Sequence, residues 1–161
     1  MKIPFLWVIS IFLISCSDNN VSKNTDPILS TPTPLSIPEA STLAEDIPKA
    51  SEWLVKYFAQ DSVILDYSIQ SIKQLDNFIE KNSKNDKPKD SSKLSNDLGY
   101  KFFAISSYIG QVIIKGNPGS KWVTDDNDPE GEVNIEIQMK DSTKMWPAQK
   151  VIKRYQNGDL S

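Results

Sequence analysis

Apolar positions recur along this chain with two different periods. Over residues 48–60, Ala50, Trp53, Leu54, Tyr57 and Phe58 fall at i, i+3, i+4, i+7 and i+8, the single stripe of an amphipathic helix. Asp46 is a candidate N-cap, and Pro48 suits a first turn. The short apolar run Val63-Ile64-Leu65 reads as part of a turn between helices. Ile69, Ile72, Leu75 and Ile79 predict a second helix over 68–81. Asp76 falls inside that stripe, where a carboxylate must be paired or hydrogen-bonded. It is either a site acid or, the favoured reading, an anchor for a backbone amide or an indole N–H. Residues 81–93 are polar and charged around Pro88 and predict a loop.

A third helix is predicted over 94–115, with two apolar faces. One carries Leu94, Leu98, Phe102, Ile105, Ile109 and Val112, and the other Gly99, Phe103, Ser106, Gly110 and Ile114. Two used faces imply packing on more than one side. Glycine inside a helix costs up to about 1 kcal/mol against alanine, so Gly99 and Gly110 point to close approach of another element, or, at Gly110, to room for a ligand. Gly116-Asn117-Pro118-Gly119 ends the helix.

The period then changes to two. Lys121-Trp122-Val123-Thr124 reads as a strand, and Val133, Ile135, Ile137 and Met139 alternate with Asn134, Glu136, Gln138 and Lys140 as a half-buried partner. Between them, residues 125–131 predict a solvated hairpin turn. An EF-hand reading fails, because counting from Asp125 the sixth position is Glu130 where a glycine is needed. After a turn at Asp141-Ser142-Thr143, Met145-Trp146 adds a short third strand. Pro147 opens a last helix with Ala148, Val151, Ile152 and Tyr155 on one face and Lys150, Lys153 and Arg154 toward the other, capped at Asn157-Gly158. The sum is an α+β domain over 41–161, about four helices on a small antiparallel sheet of two or three strands.

Composition narrows the chemistry. The chain has no histidine and one cysteine, which removes Ser-His and Cys-His catalysis, the usual zinc sets and any intrachain disulfide. The formal net charge of -3 argues against nucleic acid. No cofactor and no metal are expected. The carboxylate candidates for glycan hydrolysis are Asp66, Asp76 and Glu80, and the expectation is a non-enzymatic protein. A small-ligand or glycan binder is the alternative, with Tyr108, Gln111 and Trp122 lining a pocket between the third helix and the sheet.

The N-terminus carries the strongest motif. Lys2 precedes an apolar stretch that closes on Leu13-Ile14-Ser15-Cys16. The stretch falls short of the roughly 20 apolar residues of a membrane-spanning helix, and Ile14 fits poorly in an ordinary small-x-small cleavage site. It resembles the lipobox of bacterial lipoproteins. That resemblance implies a signal peptide over 1–15, lipidation (palmitate among the acyl groups) at Cys16 and anchorage without spanning. Ser17 after the cysteine implies, by likeness to Gram-negative lipoproteins, the outer membrane, facing the periplasm. Residues 16–40 are rich in Ser, Asn, Thr and Pro, including Thr31-Pro32-Thr33-Pro34, and read as a tether.

A second resemblance rests on Ser71-Ile72-Lys73-Gln74-Leu75-Asp76, Leu98-Gly99-Tyr100, Tyr108-Ile109-Gly110-Gln111-Val112, Lys121-Trp122-Val123, Trp146-Pro147, Val151-Ile152-Lys153-Arg154 and Asn157-Gly158. Over about residues 50–160 these are similar to an uncharacterised bacterial domain of unknown function. Gln111 stands where such domains carry Glu. The resemblance implies a fold and no reaction. The expected role is protein binding in the envelope, as an accessory factor or an immunity-type inhibitor. Asp76, Tyr108, Gly110, Gln111 and Trp122 are the candidate binding residues.

Overall fold

The structure, a computed structural model, describes residues 41–158. The first helix, α1 (Leu43–Ala59), begins ahead of Pro48 because a better cap lies upstream. Thr42 Oγ1 accepts the Glu45 N–H at 3.3 Å, and the Thr42 N–H donates back to Glu45 Oε2 at 3.3 Å, a capping box. Asp46 is therefore inside the helix rather than at its cap, held by Ser41 and Lys49. Pro48 lies inside the helix as well, where its missing N–H removes one i→i−4 bond. The buried stripe is Ile47, Ala50, Ser51, Leu54 and Phe58. Trp53 and Tyr57 flank it as a stacked pair with ring centroids 5.0 Å apart.

In α2 (Ile69–Asn82), Ser68 is the N-cap, its side chain accepting the Ser71 N–H at 3.2 Å. The buried positions are Ser71, Leu75, Ile79 and Asn82. Two polar residues belong to the core stripe, so the helix is rotated from the apolar reading. Ile69 is consequently 72 % exposed and Asp76 is at the margin.

The predicted loop contains a hairpin, β1 (Ser83–Lys84) against β2 (Lys87–Pro88), turned by Asn85 and Asp86 at φ 51 and 61. Two positive φ values are what a two-residue I′ turn requires, and Asn and Asp tolerate them best after glycine. Leu94 is fully buried, but it precedes the helix it was expected to open.

The central helix α3 (Leu98–Gly116) packs mainly on α1 and on α5 (Pro147–Asn157), and also meets α2. Both of its apolar faces are thus used. β3 (Lys121–Val123), β4 (Glu136–Gln138) and β5 (Lys144–Met145) form an antiparallel sheet in the order β3-β4-β5. Its register pairs Trp122 with Ile137 and Ile137 with Met145, placing all three on one face. The alternating run 133–139 is a strand only in part. Gly131–Asn134 forms a one-turn helix, α4, and the strand starts at Glu136. The 125–131 segment folds back onto α1, where the Leu43 N–H donates to Asp126 Oδ1 at 2.6 Å. A side chain at position 131 would lie 2.9 Å from the Asp125 carbonyl oxygen, which is why glycine stands there.

In α5, Pro147 occupies the first turn, and Gly158 at φ 72 caps the end. Arg154, expected on the outer face with Lys150 and Lys153, is buried. Its stem covers apolar surface while its guanidinium turns to carboxylates of α2. The architecture is α+β, as the two periods predicted. One further helical turn and a second small hairpin are the additions.

Candidate functional site

The segment joining α1 to α2 is held by a chain of hydroxyl groups. Tyr108 on α3 is fully buried, and its ring stacks on Tyr67 with centroids 4.7 Å apart. The Tyr67 N–H donates to Tyr108 Oη at 2.7 Å. Tyr108 Oη also lies 2.6 Å from Ser71 Oγ, which itself donates to the Ser68 carbonyl at 2.6 Å. Donor accounting then fixes the direction: Tyr108 O–H donates to Ser71. Ser51 on α1 donates to Tyr67 Oη at 3.0 Å, which leaves the Tyr67 phenolic proton without an acceptor among the described residues. Burial pushes the Tyr108 phenol above 10.0, with its hydrogen bonds to Ser71 and Tyr67 opposing. Tyr67 has φ 59, a left-handed conformation that costs a residue with a Cβ roughly 1–2 kcal/mol. The network holds it there.

A hollow of about 320 Å³ opens beside this network, lined by Pro48, Ser51, Glu52, Tyr67, Gln111 and Lys115. Asp66 borders the same region. Hydrogen bonds from Ser68 and, more weakly, the Lys115 charge hold its carboxyl below the usual range. On the same connection, Ile64 is 80 % exposed, while Leu65 between it and Asp66 is buried.

The other candidate residues lie elsewhere. A Cβ on Gly110 would overlap Trp122 Cη2 and Cζ2, and Cζ3 would be only 3.0 Å away. The space beside Gly110 is filled by this indole, not left for a ligand. The close approach predicted from the helix glycines is real at Gly110, whereas Gly99 faces open space. Trp122 Nε1 is buried with no partner among the described residues. Gln111 lines the hollow toward α1, Tyr108 stands behind it, and Trp122 contributes to neither. The three do not form a single pocket between α3 and the sheet.

Asp76 pairs with Arg154, and Glu80 Oε2 lies 3.7 Å from the same guanidinium. Its partner is thus a cation rather than a backbone amide or an indole. The pair ties α2 to α5. Asp76→Ala is expected to lower stability by roughly 1–2 kcal/mol, because it strips a carboxylate from a guanidinium with little access to water. Urea unfolding checks this, and the loss should shrink at high salt.

The 125–131 carboxylates serve the loop. Asp125 accepts the Asn127 N–H, and Asp128 accepts the Glu130 N–H at 2.9 Å and the Asn134 amide at 2.8 Å. Among the described residues no group of three or more His, Cys, Asp or Glu is placed to hold a metal ion. Cys16, the predicted lipidation site, lies outside the described residues.

Tyr67, Ser51 and Lys115 were not singled out from the sequence, and Ser71 stood there only as the first residue of a motif. A signal for two of them exists, since Ser51 and Ser71 sit on otherwise apolar helix stripes. Comparison with family models, curated proteins and solved structures gave no match to this chain.

Proposed function

We propose that this chain is a lipid-anchored envelope protein that acts by binding another protein and catalyses no reaction. In this reading Cys16 carries the acyl chains, residues 16–40 form the tether, and Ser17 directs the protein to the outer membrane, facing the periplasm. The domain reads as either an envelope accessory factor or an inhibitor of the immunity type. The sequence supports the anchor through the lipobox, and it supports binding over catalysis through the absence of histidine and of any second cysteine.

One observation carries the docking surface. Ile64, on the connection between α1 and α2, and Ile69, the first residue of α2, are 80 % and 72 % exposed, and the backbone between them is pinned to α3 through Tyr67 and Tyr108. Fully burying an isoleucine side chain is worth about 1.5–3 kcal/mol. Two of them on either side of a pinned backbone offer the kind of apolar anchors on which protein interfaces are centred. The partner they fit is a protein with an apolar recess.

The test is cross-linking of the intact lipoprotein in cells, with Cys16→Ala as the mislocalised control. One dominant partner is expected, its yield falling roughly tenfold or more in Ile64→Asp and Ile69→Asp. Substitutions at positions this exposed should leave stability within about 0.5 kcal/mol. A dominant partner indifferent to both substitutions would remove the docking surface, and the lack of any partner above the control would sink protein binding altogether.

A further inference from the structure

We propose that the hollow between α1, α3 and Tyr67 is a binding site for a small zwitterion, a free amino acid or a short unblocked peptide. The inference concerns a different set of atoms from the exposed isoleucines and stands whether or not a protein docks there.

Opposite charges border the hollow without meeting. Glu52 and Lys115 both line it, yet neither forms an ion pair, with the other or with any other described residue. Lys115 is near enough to Asp66 to act on its carboxyl, but the two do not pair either. A carboxylate and an ammonium held apart over one recess are complementary to a ligand that carries an ammonium and a carboxylate on one short skeleton.

Neutral groups converge on the same space. The Tyr67 phenolic proton has no acceptor, and the Gln111 amide makes no hydrogen bond among the described residues. Both can donate to a ligand carboxylate beside Lys115. Pro48 offers an apolar wall, suited to a small side chain.

Local strain gathers at this place as well. Of the residues lining the hollow, Tyr67 is left-handed at φ 59 and Pro48 is a proline inside a helix. Each is locally unfavourable, and such costs concentrate where a site must be shaped in advance. Tyr67 is fixed from behind by the Tyr108 stack and from the side by Ser51, so its hydroxyl is presented in one position. About 320 Å³ is at the small end of ligand sites and matches one amino acid or a dipeptide rather than an oligosaccharide.

The experiment titrates the full-length chain in detergent micelles with alanine and with alanylalanine. It follows the Tyr67 ring by NMR, with N-acetylalanine and alanine amide as ligands that each lack one charge. The expected result is saturable binding of at least one zwitterion near about 1 mM, weaker by roughly tenfold or more for both single-charge analogues. Glu52→Gln and Lys115→Gln should each weaken the zwitterion by a similar factor. Both side chains are exposed and unpaired, so circular dichroism should be unchanged in these variants. Equal binding of the single-charge analogues, indifference to both substitutions, or no saturation up to about 10 mM would each overturn the proposal. The cross-linking result at Ile64 and Ile69 is read separately, so the two readings fail independently.

Discussion

Gly110→Ala is expected to destabilise the domain by about 1–3 kcal/mol, although alanine is the better helix former. The added methyl overlaps the Trp122 indole, and forcing a side chain into a filled interior costs about that much. The helix-propensity gain of up to about 1 kcal/mol works in the opposite direction and is outweighed. The contest has a distinctive signature. With Trp122→Leu in place the overlap is relieved, and the same Gly110→Ala change should be neutral or stabilising. Chemical unfolding of the two single variants and the double variant measures this. A non-additivity of at least about 1 kcal/mol is expected for residues in direct contact. Equal effects in both backgrounds would mean that Gly110 is there for a reason other than the indole.

Tyr108→Phe is expected to cost about 1–3 kcal/mol. The ring and its stack on Tyr67 survive, but the Tyr67 N–H loses its acceptor and Ser71 Oγ loses its donor. The same substitution should change the alkaline limb of the stability profile. Burial raises the Tyr108 phenol above its ordinary 10.0 in the folded protein. The unfolded chain therefore releases that proton first, and unfolding gains ground as pH climbs. The contribution is complete below about pH 10 and is lost as pH rises through the folded-state value. Without the phenol this loss cannot occur. The gap between wild type and Tyr108→Phe should therefore narrow as pH rises above about 10. Tyr100 and Tyr155, raised in the same direction by burial, keep part of the alkaline limb in both proteins. A constant gap would mean that the phenol is not held protonated by its surroundings.

The sequence was most legible where one periodicity acted alone. α3, α5 and the β3–β4 pairing follow from apolar spacing and from Pro147, Gly116 and Gly158 as punctuation. It was least legible where polar residues do apolar work. Ser51, Ser71 and Asn82 are buried because their polar groups find partners, Asn82 accepting the Lys93 N–H at 3.0 Å and donating to the Phe78 carbonyl at 2.8 Å. With Ser71 left out of its stripe, α2 was read in a rotated setting that placed Ile69 in the core. The Thr42-x-x-Glu45 box was present in the sequence, but Pro48 suggested a later start. Turn chemistry hid the hairpin at Asn85-Asp86 and the helical turn at Gly131, both of them short. Tyr108 and Gln111 were recognisable as residues of interest, but their partners were not. The bonds from Tyr67 to Ser51 and Tyr108 span 16 and 41 positions, and no local pattern encodes such a meeting.

The contact between the first turn of α1 and the 125–131 loop has a mechanical consequence. Residue 41 is where force from the preceding chain enters the described fold. The first turn of a helix is ordinarily its weakest point, since its N–H groups lack internal partners and it frays first. Here the Leu43 N–H is latched to Asp126 and the Leu43 side chain rests where Gly131 leaves room. A pull arriving from that side must break this latch together with the capping box before it can peel α1 from α3.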